Sequence, residues 1–338
     1  MSRKLILSLL LTTSFLYSQN SNKIIELSDA KAKNGDYVEA KAGYDKVLLN
    51  DPNNSICLYK SGLMSIQMGI DLNDAIQNFS KAIQIKPKYS DAYWGRGMAR
   101  KMKNEYKEAS QDLEKAIQLD PKNYETYISI AEVKYHLTDY TKADYYYSIY
   151  LKKYPKDFDT YSDRAFVRMQ NLSVKEAIQD YTKAIELNPN KQYQDYLDRG
   201  KAKYLIQQYD SANSDFNKAI EINPNSLDLL YSLGTFFVEK EKFNEAVSYF
   251  DKILILDNTN SRAYLYRGFS KNGLEKFDEA LFDLNSAINL EPDFGYTYIQ
   301  RGYSKVKLGL FEQSCDDFNK AKELGEEDAD EFIEDYCY

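Results

Sequence analysis

The chain has 338 residues, with 44 lysines and arginines against 52 aspartates and glutamates, a formal net charge of −8 and a single histidine, His136. An acidic chain gains nothing by neutralising phosphates unless its bases are segregated on one face, and no Lys/Arg run is present, so nucleic acid is not an expected partner. A lone histidine cannot be paired for metal binding, and no G-x-G-x-x-G, P-loop or H-E-x-x-H pattern occurs, so no metal, cofactor or catalytic constellation is expected.

Residues 1–18 open with Arg3 and Lys4, continue through an apolar stretch from Leu5 to Tyr17, and reach Ser18 and Gln19. A basic start, a short apolar middle and a small residue at the cut describe a secretory signal peptide, with cleavage expected after Ser18. The alternative, a retained membrane anchor, suffers from a stretch too short and too rich in Ser and Thr to span well. Removing Arg3 and Lys4 with the leader takes the charge from −8 to −10.

Beyond the leader the chain repeats itself. All seven prolines, Pro52, Pro87, Pro121, Pro155, Pro189, Pro224 and Pro292, fall on one lattice with gaps of 35, 34, 34, 34, 35 and 68 residues. Twelve residues before each stands Ala40, Ala75, Ala109, Ala143, Ala177, Ala212 or Ala280, and Ala246 and Ser314 fill the two periods that lack proline. This periodicity predicts nine units, 21–54, 55–89, 90–123, 124–157, 158–192, 193–226, 227–260, 261–294 and 295–328. Each buries its apolar face only by stacking on neighbours, which excludes one globular core. Within 227–260, Leu230, Leu233, Gly234 and Phe237 form one helical stripe, Glu241 and Lys242 break it, and Phe243, Ala246, Phe250 and Ile253 form a second. Proline, or Asp257 and Asn258 in this copy, then ends the second helix. Gly97, Gly200, Gly234, Gly268 and Gly302, opposite the alanine or serine of the second helix, predict close approach of two antiparallel backbones. After Gly325, the stripe Ala329, Phe332, Ile333 and Tyr336 predicts a capping helix over 329–338 with acids on its other faces.

These residues resemble the tetratricopeptide repeat family, whose pattern is W-x2-L-G-x2-Y, A-x3-F, P. Leu230, Leu233, Gly234, Phe237, Ala246 and Phe250 carry it, as do Tyr93, Gly97, Ala109, Leu113 and Pro121. The departures are the missing tryptophan in every copy, a weak first repeat with Ser28 and Lys31 at signature positions, and bases where the pattern has tyrosine. The resemblance implies an all-α, right-handed α-solenoid of about nine helix-turn-helix units, first helices lining a concave groove, and a non-catalytic role in holding a peptide segment or helix of another protein.

By that analogy the groove would be lined by Asp91, Trp94, Met98, Glu132, Tyr135, Asp159, Phe166, Met169, Tyr204, Tyr231, Leu265, Phe269, Ile299 and Tyr303, a mixture of aromatics and acids suited to a segment with basic side chains. The Lys and Asn set with which some members clamp a terminal carboxylate is not recognisable. One pairing is internal to the sequence. Arg96, Arg164, Arg199, Arg267 and Arg301 hold the seventh position of repeats that carry Asp112, Asp180, Asp215, Asp283 and Asp317 at the twenty-third, and the other four repeats have neither. Co-occurrence predicts an ion pair inside each repeat; a ladder of arginines for an acidic ligand is the other reading. Of Cys57, Cys315 and Cys337, the last two lie at similar heights on helices either side of Gly325, so the choice is a disulfide between them or three reduced, buried thiols. The sequence thus leads to an exported protein-binding scaffold of the periplasm or cell envelope, or secreted. Its rivals are a glycan- or peptidoglycan-binding envelope protein using Trp94 and the groove tyrosines, and a subunit of an enzyme complex.

Overall fold

The computed structural model describes residues 21–188 and 193–337, so the leader with its cut after Ser18, and Pro189, lie outside the described residues. Every one of the nineteen helices among the described residues is α-helical. The chain divides after Leu187 into two compact units.

The first unit holds α1 (21–33), α2 (Tyr37–Asn50), α3 (Ser55–Met68), α4 (Leu72–Ile85), α5 (Ser90–Met102), α6 (Tyr106–Leu119), α7 (Glu125–His136), α8 (Tyr140–Lys153), α9 (Phe158–Gln170) and α10 (Val174–Leu187). The second holds α11 (Tyr193–Leu205), α12 (Tyr209–Ile222), α13 (Leu227–Glu239), α14 (Phe243–Leu256), α15 (Ser261–Gly273), α16 (Phe277–Leu290), α17 (Gly295–Lys307), α18 (Phe311–Glu323) and α19 (Ala329–Tyr336). In each unit consecutive helices pack as hairpins, and each hairpin packs on the next. First helices of successive repeats also touch directly, α3 with α5 and α5 with α7 in the first unit, α13 with α15 and α15 with α17 in the second, where α17 also touches the terminal α19. This is the all-α, solenoid type of stacking.

Local chemistry sets the boundaries. First helices α3, α9, α13 and α15 begin on Asn54, Asp157, Ser226 and Asn260, whose side-chain oxygens accept the amide three residues on. Between the two helices of a repeat one residue turns left-handed, or two in 55–89, where Gly69 and Asp71 both do so. Glycine does this at Gly35 and Gly309, but Asn104, Thr138, Leu172, Gln207, Glu241 and Glu275 adopt φ values of 55 to 65° with a side chain present.

The lattice alanines from Ala40 to Ala280, and Ser314, are fully buried. The first-helix glycines face chiefly the large residue four beyond each alanine, not the alanine itself. A Cβ on Gly302 would lie 2.4 Å from the Phe318 ring, and one on Gly97 2.8 Å from Leu113 and 3.3 Å from the Ala109 carbonyl. The glycine therefore makes a socket for a ring or a leucine from the second helix. At the C-terminus Gly325, with φ of 91°, ends α18. Helix α19 buries Ala329 and Ile333, and its Phe332 ring stacks at 5.2 Å on Phe318. Cys315 and Cys337 are joined by a disulfide, Cα to Cα 5.6 Å. Cys57 is a free, buried thiol, which burial pushes up to about 11.

Candidate functional site

The five arginines are structural. Each guanidinium meets the aspartate of its own repeat through two hydrogen bonds: Arg96 with Asp112, Arg164 with Asp180, Arg199 with Asp215, Arg267 with Asp283, and Arg301 with Asp317, the closer of the two at 2.5 to 2.7 Å. The aspartates are buried. Each also receives a second cation from position eleven: Arg100, Arg168, Lys203, Lys271 and Lys305, at 2.6 to 2.9 Å. This explains the bases found where the repeat pattern has tyrosine. The position-four tyrosines Tyr93, Tyr161, Tyr196, Tyr264 and Tyr298 lie beneath the guanidiniums at 5.4 to 5.6 Å. Four arginines also reach back one repeat, to Ser80, Ser148, Asp251 and Asn285. With donors so engaged, four of these guanidiniums have little to offer an acidic ligand, and Arg199 also borders an open recess of about 680 Å³ with Tyr196, Asp210, Asn213 and Lys218.

Repeats without the pair solve the same place differently. In 227–260 it is apolar: Leu233 is buried, and Phe237 stacks on Tyr249 at 5.6 Å. In 124–157 the base survives as buried Lys134, which turns to the preceding repeat and donates to Ser110 and Glu114, both at 2.7 Å.

The open surface of the first helices carries the remaining candidates. In the first unit, α5, α7 and α9, with Tyr106 of α6 and Tyr147 of α8, enclose a recess of about 320 Å³ lined also by Lys101, Glu132, Tyr135, His136, Asp163, Phe166 and Val167. Lys101 Nζ pairs with Glu132 Oε2, and Phe166, exposed, faces Tyr135 at 5.6 Å. His136 stacks on Tyr106 at 4.4 Å. Asp91 stands exposed in the first turn of α5. Trp94 is half-buried against Leu113, with its indole N–H donating to Ser129 Oγ at 3.4 Å. Met98 is half-buried, as is Met169, while Asp159 is exposed.

In the second unit, a recess of about 290 Å³ is lined by Phe243, Phe269, Asn272, Gly273, Gln300, Tyr303 and Phe332. Tyr204 lies 4.8 Å from Tyr209 and 5.3 Å from Phe236. Tyr231 is edge-on to Tyr266 at 5.5 Å and borders a smaller recess of about 250 Å³ with Arg262 and Asp228. Leu265 and Ile299, expected to line the groove, are core residues instead, 3% and 2% exposed. An aliphatic side chain at that position is drawn inward against the neighbouring second helix.

The recesses of about 320 and 290 Å³ are one construction. Tyr106 and Phe243 hold position seventeen of their repeats, Glu132 and Phe269 position nine of the next, and Tyr135 and Asn272 position twelve. Asp163 and Gln300, then Phe166 and Tyr303, hold positions six and nine of the repeat after that. Position seventeen lies on the second helix, outside any list drawn from first helices alone, yet its recurring Tyr or Phe stands on the same lattice as the prolines.

Helical hairpins stacked with a recess across three successive repeats define a helical repeat scaffold. Residues 90–123 match a model of the tetratricopeptide repeat, and 173–191 and 196–226 match a second. The chain is a tetratricopeptide repeat protein.

Among solved structures it resembles the C-terminal part of a TPR repeat-containing protein from Cytophaga hutchinsonii, at 19% identity and TM-score 0.58 over 71% of this chain and 97% of that one. A tetratricopeptide repeat protein from Parabacteroides merdae matches at 19% identity and TM-score 0.54, over 74% and 99%. YrrB, described as a TPR protein with an unusual peptide-binding site, matches at 19% and 0.51, over 56% and 96%. These likenesses are of fold. A search of curated proteins returns no match. Among the described residues no helix is long and apolar enough to cross a membrane.

Proposed function

We propose that this chain is an exported, non-catalytic scaffold that holds an extended segment or a helix of a partner protein against its first-helix face. The recurring recess carries the reading: two units build it from the same repeat positions, with aromatic side chains half-exposed around it. Such anchors are what peptide-binding surfaces use, because an aromatic ring buries much area at little entropic cost. Glu132 and Asp163 in the first recess favour basic side chains on the partner. Export is supported by the basic and apolar pattern of residues 1–18, and by the Cys315–Cys337 bridge, which suits an oxidising compartment. The glycan reading loses its best platform, since the indole of Trp94 is drawn into packing.

The test is site-specific photo-crosslinking of the mature protein in envelope extract. Crosslinkers at Tyr135 and Tyr303 should capture a protein, and crosslinkers at exposed second-helix positions Tyr145 and Phe282 should not. Capture at the second helices alone, or retention only on peptidoglycan, would overturn the scaffold reading.

A further inference from the structure

The geometry points to the recess of the second unit as an anchor pocket for one large apolar side chain, carried by a partner segment whose flanking residues are basic. This rests on the function proposed above and names the chemistry of one of its sites. Relative to the first unit's recess, polar walls have been replaced: Glu132 by Phe269, Asp163 by Gln300, and His136 by Gly273, and the lining holds no counterpart of Lys101. Gly273 has a steric reason to be there, because a Cβ would lie 2.4 Å from the Phe243 ring that forms the neighbouring wall. The Asn272 side chain is already satisfied. Its Nδ2 donates to the Gln300 backbone carbonyl at 3.1 Å and its Oδ1 accepts from Ser304 at 2.6 Å, which leaves Gln300 and Tyr303 as the polar groups of a mainly apolar wall. At about 290 Å³ the recess lies at the lower bound of small-molecule clefts, roughly 300 Å³, and suits one side chain better than a cofactor.

The last wall comes from outside the repeats. Phe332 belongs to α19, which stacks on Phe318 and is fastened by the Cys315–Cys337 bridge. The same segment is strongly acidic: Glu326, Glu327, Asp328, Asp330, Glu331, Glu334 and Asp335 stand in a stretch from 325 to 338 that contains no base, with Asp330 paired to Lys322. Lys307 lies over the Tyr303 ring at 5.2 Å. An apolar hole with one wall drawn from an anionic segment selects an apolar anchor with Lys or Arg beside it.

The experiment is fluorescence anisotropy of the mature protein at low salt, with a short labelled peptide carrying one Phe between lysines. Phe→Ala and Lys→Glu versions of the peptide serve as competitors. Binding should weaken about ten-fold with Phe269→Ala or Tyr303→Ala in the protein, and comparably with either peptide change. Cys337→Ser, which frees Phe332 from its place, should weaken it several-fold, while Phe282→Ala, on an exposed second-helix face, leaves it unchanged. Circular dichroism checks that each variant keeps its helices, and either aromatic variant that does so is sufficient. Unaltered affinity in both aromatic variants, or no binding by the unmodified protein, overturns the pocket. If binding instead disappears with Tyr135→Ala, the pocket fails while the scaffold reading survives; absence of protein crosslinks at every first-helix position would sink the scaffold itself.

Discussion

Each buried aspartate of the ion-paired repeats sits between two cations on its neighbouring helix, one and two turns from the repeat's opening tyrosine. Removing one cation leaves a desolvated carboxylate half-compensated. Arg301→Leu should therefore destabilise by about 3 kcal/mol in urea unfolding. The combination Arg301→Leu, Lys305→Phe and Asp317→Tyr copies Leu233, Phe237 and Tyr249 and should recover much of that loss; equal damage from the single and triple changes would remove the pairing argument. The arginine and aspartate were legible as a co-varying pair, because both are present or both absent. The second cation was not, since Lys134 keeps the base in a repeat that lacks the pair, and only coordinates show it turning to Glu114.

Two carboxylates give opposite pH responses. Burial raises Asp29, but hydrogen bonds from Lys60 and Tyr44 outweigh it and hold the carboxyl below its ordinary value. Its stabilising contribution is present above the unfolded value of 3.8 and is lost as pH falls through the lower folded value. Burial pushes Asp198 up, with Gln194 and Lys201 compensating only in part. Its charged form costs stability at neutral pH, and the cost vanishes below 3.8. In thermal melts at pH 7, Asp29→Asn should lower Tm and Asp198→Asn should raise it. Both differences should shrink as the pH is lowered through that range, and the same sign for both would contradict the assignment.

At the scale of the helix, the turn inside each repeat stores strain wherever a non-glycine turns left-handed. Leu172 is the clearest case, with φ of 59° and 86% of its side chain exposed, so it gains no packing in return. Leu172→Gly should stabilise by about 1 kcal/mol, read from the midpoint of chemical unfolding. A loss of stability would mean that the turn is not strained. Helix spacing, breaks and the cap were plain from periodicity, because the same proline, glycine and alanine recur at fixed offsets. The recesses were not, since they combine positions from three repeats and, at Phe332, from α19. Leu265 and Ile299 show the limit of reading a face by offset alone: an aliphatic side chain there turns into the core.

At the scale of the molecule, contacts run between neighbouring helices, so damage should stay local. Truncation after Leu324 removes α19 and uncovers Tyr298, Ile299 and Phe318. Hydrogen exchange should then accelerate strongly in α17 and α18, weakly in α15 and α16, and little in α13. Uniform acceleration through the second unit would indicate one cooperative block instead. The repeat formed by α13 and α14 has a kinetic significance of its own. Five other repeats must bring a guanidinium and a carboxylate together out of water before they close, and desolvation delays that step. Leu233, Phe237, Tyr249 and Phe250 meet without any charge to strip, inside a buried cluster extending from Leu197 to Ala263. Folding should begin there: truncations in α13 and α14 should slow refolding with φ-values near 0.7, while Arg301 and Asp317 variants mainly speed unfolding. This repeat, apolar where five others carry the ionic lock, would then be the seed on which its neighbours condense.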